Sequence, residues 1–352
     1  MANIICETPE VTEKAQALLE KSIPNHRHAY SDRTAWLMAC LSELAYIRFN
    51  PIFESNAKAE LIAKLIALVD LSKHELLNKF IDQMAYDHDA EKARLIDELS
   101  TLKMELIATF DQNDTEAILV EHPNFIALAF RGTELNQVQD LIADGNIATT
   151  PSEVGGKVHT GFSEAYDAVG SQIQAALDNE KYANKPLFIT GHSLGGALAT
   201  LATRRLIHQG GIAACYTFGS PRVGNTAWVS EMRNAVYRVV NAADFVTVTP
   251  PSGLMVSSLS GVLQFVPKFG DTLKKRINDF GGYMHCGNMR YLTNCKKGNY
   301  EDVQLLYSVD IPYRIKGFLA RKMRRWSKPL TDHSISVYRK KLFLIALRRN
   351  NL

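Results

Sequence analysis

Pro186-Leu-Phe-Ile-Thr190 is a short apolar run that leads into Gly191-His192-Ser193-Leu194-Gly195-Gly196 and then Ala197-Leu-Ala-Thr-Leu-Ala202. The first piece reads as a buried strand and the last as a helix rich in alanine, the best helix former. Between them stands Gly-x-Ser-x-Gly, which in a strand–turn–helix context lifts a serine hydroxyl above the edge of a sheet. Such a turn strains the backbone of the serine. Strand and helix then pass too close for a Cβ two residues to either side, a need that Gly191 and Gly195 meet. Ser193 also falls at a helix N-terminus, where free N–H groups and the helix dipole favour developing negative charge. The stretch predicts a serine nucleophile carried on an α/β sheet.

The pattern around the turn agrees. Residues 104–110, 115–120 and 125–130 are apolar runs divided by the turn formers Asp-Gln-Asn-Asp and His-Pro-Asn, as in a meander of strands. Residues 162–179 and 195–208 have helical spacing, and 187–190, 213–218 and 236–240 read as strands. That alternation predicts a mostly parallel sheet covered by helices. The catalytic domain is expected to span 104–352. Residues 1–103 form an N-terminal helical region, within which 31–48, capped by Ser31 or Asp32, packs on the catalytic domain. Residues 56–100 carry apolar residues at helical spacing and are expected to form two or three helices.

A serine hydroxyl is a weak nucleophile without a base. On this kind of sheet the partners follow in the order Ser…Asp/Glu…His. Asp244 follows the strand at 236–240, and strand C-terminal ends are where α/β sites are built. His333 stands near the chain's end in Thr331-Asp-His-Ser334. Order alone leaves His285 as a rival base and Asp310 as a rival acid, while Asp332 reads as a cap or ion pair beside His333.

Six segments together resemble the class 3 lipase family, whose best-known members are fungal triacylglycerol lipases. They are Phe130-Arg-Gly-Thr133, Val158-His-Thr-Gly-Phe162, Gly191–Gly196, Thr217-Phe-Gly-Ser-Pro-Arg-Val-Gly-Asn225, Asn241–Pro251 and Asp332-His-Ser-Ile-Ser-Val-Tyr338. The resemblance implies an α/β-hydrolase fold with Ser193, Asp244 and His333 as triad, and it places His285 in a structural strand near the site. It implies an oxyanion hole from Thr133 and the backbone N–H of Leu194, with Asp144 bracing Thr133 at a spacing slightly longer than the family's. Gly191, His192 and Gly195 support the elbow. Neither metal nor cofactor is implied.

Composition bounds the rest. The chain has 352 residues, 46% hydrophobic and 22% charged, as in an ordinary globular protein. No apolar run reaches the roughly 18 residues of a membrane span, and the N-terminus lacks a secretory pattern. Five scattered cysteines argue against a disulfide framework or a zinc site. The expected setting is cytoplasmic or peripheral to a membrane, with export by another route left open. The net charge is +3, unevenly spread: residues 311–352 hold twelve basic residues against the single acid Asp332, a net +11, which leaves −8 on residues 1–310. Residues 314–326, with Ile315, Leu319, Met323 and Trp326 on one face, read as a basic amphipathic helix suited to an anionic membrane surface, and 335–349 repeat the theme. No nucleic-acid motif accompanies that charge. Residues 134–144 put Leu135, Val138, Leu141 and Ile142 near one helical face, and the resemblance implies that this stretch is a lid. Apolar residues in 252–282 are placed to shape an acyl pocket. The expected substrate is a glycerolipid ester. A phospholipase A1 or lysophospholipase is the alternative that the basic end favours, and a membrane-binding module without activity is a further one.

Overall fold

The computed structural model describes residues 3–24, 28–48, 88–132, 148–242, 244, 246–250, 282–295, 298–310, 312–314, 316 and 331–352. The meander is present as β1 (Glu105–Gln112), β2 (Thr115–His122) and β3 (Phe125–Phe130), paired antiparallel. Asn113 and Asp114 both have positive φ, the conformation of a two-residue hairpin turn, which accounts for the tight join of β1 and β2. Two short strands follow, β4 (Thr149–Pro151) and β5 (Lys157–His159). The chain then enters β6 (Leu187–His192), β7 (Ile212–Phe218), β8 (Gly224–Asn225), β9 (Val236–Asn241), β10 (Tyr283–Met284), β11 (Asn288–Leu292) and β12 (Leu305–Leu306).

The main sheet has eight strands in the order β1-β2-β3-β6-β7-β9-β11-β12. Strands β3, β6, β7, β9 and β11 run parallel, and β12 closes the edge antiparallel. Central parallel strands are covered on both faces and so read as continuous apolar runs. All six residues of β6 are buried, with Leu187 and Ile189 on one face and Phe188 on the other. This is the α/β-hydrolase architecture expected from the sequence. A smaller sheet, β10-β8-β5-β4, lies apart from it.

Helices cover both faces. One core cluster joins α1 (Pro9–Glu20), α2 (Asp32–Leu44), α3 (His88–Thr101) and the C-terminal helix, α7 (Ile335–Arg349), to one side of the sheet. The other face carries α4 (Thr160–Leu177) and α5 (Leu194–Arg205), with α6 (Thr226–Ser230) beside them. Ser31 caps α2, its hydroxyl accepting from the Thr34 N–H at 3.3 Å. Helix α1 falls within the expected N-terminal helical region, although the sequence reading assigns no helix to its residues. Its signal is nevertheless present, since Thr8 caps a helix whose first residue is Pro9, a position that suits proline. The Glu98 carboxylate accepts from the Ile4 and Ile5 N–H groups and ties the N-terminal segment to α3. All five cysteines are buried, and no disulfide joins any of them. Among the described residues no helix is long and apolar enough to cross a membrane. Of the expected helical stretch 56–100, only 88–100 lies within the described residues. Residues 134–144, 252–281 and 317–326 lie outside them.

Candidate active site

The elbow is built locally. Strand β6 ends at His192 and α5 begins at Leu194, so Ser193 is the entire turn. Its backbone sits at φ 58° and ψ −127°, a conformation that costs a non-glycine residue about 1–3 kcal/mol. The Ser193 N–H donates to the Phe218 carbonyl at 2.9 Å, which holds the strained residue against β7. A Cβ on Gly191 would collide with the Gly195 carbonyl, and one on Gly195 with the Phe130 carbonyl. Leu194 opens α5, so its N–H is among those with no intrahelical partner.

The candidate acid and base come from distant parts of the chain. Asp244 lies just past β9 and is fully buried. Its carboxylate accepts from His333 Nδ1 at 2.9 and 3.0 Å, from the Tyr338 hydroxyl at 2.5 Å and from the Val246 N–H at 3.0 Å. His333 sits in a single 3-10 turn, Thr331–His333, just ahead of α7. Its Nε2 lies 2.8 Å from Ser193 Oγ. With Nδ1 donating to the carboxylate, Nε2 presents its lone pair to the serine hydroxyl. Ser193 and His333 are each only 1% exposed.

The rival residues are engaged elsewhere. His285 follows β10 and donates from Nε2 to the Thr247 carbonyl at 2.6 Å. Burial holds its pKa well below the usual histidine range, and nearby Arg238 and Arg222 add to the effect. Asp310 is exposed and accepts from the Tyr313 N–H at 2.8 Å. Asp332 is buried, and its carbonyl accepts from Asn241 Nδ2 at 2.8 Å. Thr133 and Asp144 lie outside the described residues. The chain just before Thr133 is described: a Cβ on Gly132 would meet Ser193 Cβ at 3.2 Å, so the end of β3 passes directly beside the serine.

Several residues at the site were not singled out from the sequence. Gly219 follows β7 directly with φ 61°, and a Cβ there would lie 2.6 Å from Asp244 Oδ2 and 3.0 Å from His333 Nδ1. A side chain at 219 would occupy the space of the Asp244–His333 pair. Tyr338, at the end of the quoted Asp332–Tyr338 segment, bonds Asp244 and also accepts from the Asn241 N–H at 2.9 Å. Tyr46 bonds His192, as described below. Two arginines brace the turn after Asp244, and a third is buried close by. Arg222 Nη1 donates to the Val248 and Pro250 carbonyls, and Arg314 Nη2 donates to Thr247 Oγ1 at 2.6 Å. Arg238, on β9, is buried with Nε and Nη1 lacking partners. Burial, reinforced by Arg314 and Arg222, pulls its pKa down to about 9.

Within the basic C-terminal end, α7 packs differently from the basic amphipathic helix expected of 335–349. The cations of α7 are taken up by partners elsewhere in the chain, some buried and some at the surface. Arg339 pairs with Glu43 and Glu7, Lys340 with Glu7, and Arg349 with Asp32. Lys341 is buried and donates to Asn241 Oδ1 and the Thr293 carbonyl, each at 2.7 Å. Arg348 donates to the Val303 carbonyl. Residues 335–349 are therefore a core helix whose positive charges bind its neighbours, because an apolar face this broad is drawn into the sheet layer. Among the described residues no three His, Cys, Asp or Glu side chains converge as a metal site.

The chain is similar to several known lipases. Residues 127–254 match the family model for lipase, class 3. Secreted mono- and diacylglycerol lipase 1 of Fusarium solani is 47% identical over 100 residues, covering 27% of this chain and 30% of the relative. A lipase of Rhizomucor miehei is 32% identical over 174 residues, 46% of each chain. The solved structure of the Rhizomucor miehei lipase propeptide complex aligns at 22% identity and a TM-score of 0.47, covering 83% of this chain and 92% of that one. The chain spans less than half the length of either curated relative. It resembles the class 3 lipase family, and it does so over the stretch from β3 to the turn beyond Asp244.

Proposed function

We propose that the chain is a serine ester hydrolase that cleaves acyl esters of glycerolipids through an acyl-enzyme. The observation that carries the proposal is the 2.8 Å approach of His333 Nε2 to Ser193 Oγ, with His333 Nδ1 bound to the buried Asp244. His333 takes the Ser193 proton as the oxygen attacks the ester carbonyl. Asp244 holds the ring in the tautomer that leaves Nε2 free, and it stabilises the imidazolium that forms. The Leu194 N–H and Thr133 receive the oxyanion. Each such donor is typically worth about 3–4 kcal/mol in the transition state. His333 then protonates the departing alcohol. Water, deprotonated by the same imidazole, releases the fatty acid.

The lipid substrate is favoured by the family resemblance and by the acylglycerol named for the Fusarium relative. The internal pairing of α7 removes part of the charge that favoured an anionic phospholipid surface. The word "secreted" in that relative's name favours export over a cytoplasmic setting, which fractionation of the source cells tests. For the substrate, emulsified mono- and diacylglycerols, phospholipid liposomes and short soluble esters are compared. Turnover highest on acylglycerols supports the reading. Turnover confined to short soluble esters contradicts a lipid substrate while leaving the serine chemistry intact.

A further inference from the structure

His192, the residue before the nucleophile, is fully buried between two partners of fixed polarity. Its Nε2 meets the main-chain carbonyl of His333, which can only accept, so Nε2 carries the proton. Its Nδ1 lies 2.8 Å from the Tyr46 hydroxyl, at the C-terminal end of α2. Burial holds the His192 pKa well below the usual histidine range, and the neighbouring His333 adds to the effect. The ring is neutral, Nδ1 is a bare acceptor, and the Tyr46 hydroxyl must donate to it. The Tyr46 hydroxyl also packs directly on Gly132, where a Cβ would lie only 2.2 Å from it. Packing of Tyr46 on Gly132 and the two hydrogen bonds form one chain of contacts, from Gly132 through Tyr46 and His192 to His333. One end is the residue before Thr133, and the other is the backbone of the base.

We propose that Tyr46 and His192 act together as a positioning unit that locks the end of β3 and the His333 backbone to each other across Ser193. The inference rests on the triad reading above. Its physical basis is that a misplacement of about 1 Å in a catalytic group can cost 100-fold in rate. His333 has no regular element of its own beyond its short turn. Ring centroids of His192 and His333 lie 4.5 Å apart, so a neutral His192 also spares the imidazolium of the reaction a like-charged neighbour.

The test is a double-mutant cycle on hydrolysis of p-nitrophenyl butyrate, with thermal unfolding recorded for each variant. Tyr46→Phe is expected to lower kcat at least tenfold with KM within twofold. His192→Leu is expected to do the same. The double variant is expected to be no slower than the slower single one, because both break one chain. His192→Gln, which keeps an N–H able to reach the His333 carbonyl, is expected to retain most of kcat. Unimpaired kcat in folded Tyr46→Phe, or losses that multiply in the double variant, overturns the inference. If Tyr46→Phe does not fold, the contrast between His192→Gln and His192→Leu decides, and equal rates overturn it. A wild-type chain that leaves the ester untouched overturns the triad reading and this inference together, whereas turnover in the wild type with no coupling overturns the inference alone.

Discussion

The proposed nucleophile and the proposed base of this site are held in opposite ways. Ser193 is fixed by its immediate neighbours, with two glycines, one strand and one helix making the strained turn within a few residues. His333 is fixed by residues far away in the chain. Asp244 is 89 positions off and His192 is 141. Tyr338, its nearer neighbour, acts by reaching back to the same aspartate. Local geometry leaves a motif that can be read. Long-range geometry leaves single residues whose purpose appears only once the sheet has aligned the ends of β3, β6, β7 and β9.

Breaking the local half is expected to give the largest effect on rate with the smallest effect on fold. Ser193→Ala should lower turnover by about 10⁴-fold or more, as for other serine triads. Its unfolding temperature should stay close to wild type or rise, because the strained turn keeps its glycines. The long-range half should behave differently. Gly219→Val puts a side chain into the space between Asp244 and His333 and forces a branched residue to φ 61°. We expect a loss in kcat of about 100-fold together with a loss of stability, read by steady-state kinetics and denaturant unfolding.

That difference also sets what the sequence made legible. The elbow, the meander, the parallel order and the positions of Asp244 and His333 could all be read from spacing, order or resemblance. Tyr46 could not, because in sequence it is one more apolar-compatible residue at the end of a buried helix. Gly219 stood inside a quoted segment without any sign that the base would arrive above it. The α7 cations misled because composition counts charges without their partners. Glu43, Glu7 and Asp32 are about 300 residues upstream, and nothing in the local pattern joins them to Arg339 and Arg349.

Smaller effects sharpen the contrast. Tyr338→Phe removes a donor to Asp244 and leaves the Asn241 N–H unpaired. Leaving such a buried group unsatisfied should destabilise the protein by about 1–3 kcal/mol, measured by urea unfolding, with a modest fall in kcat. Acid should act on the same region. His192 and His285 are held neutral in the folded protein, chiefly by burial. Their folded pKa values lie below the unfolded value of about 6.5, so the unfolded chain binds more protons once the pH falls below it. Stability is therefore full above about pH 6.5 and declines on acidification. Unfolding temperatures recorded from pH 8 to pH 5 check the sign, and His285→Asn should flatten the slope. The smallest expected change is a gain. Arg238→Met removes a buried guanidinium with unpartnered nitrogens, and replacement of buried charge by an apolar side chain is often neutral or stabilising. The variant should unfold at the same temperature as wild type or slightly higher.

The central claim is that Ser193 is the nucleophile and His333 its base. It is tested most directly by reacting the folded chain with a fluorophosphonate and mapping the adduct by mass spectrometry. A single adduct on Ser193, absent in Ser193→Ala and formed at least 100-fold more slowly in His333→Ala, is the result expected. An adduct on another serine, or no adduct on a well-folded chain, would contradict it.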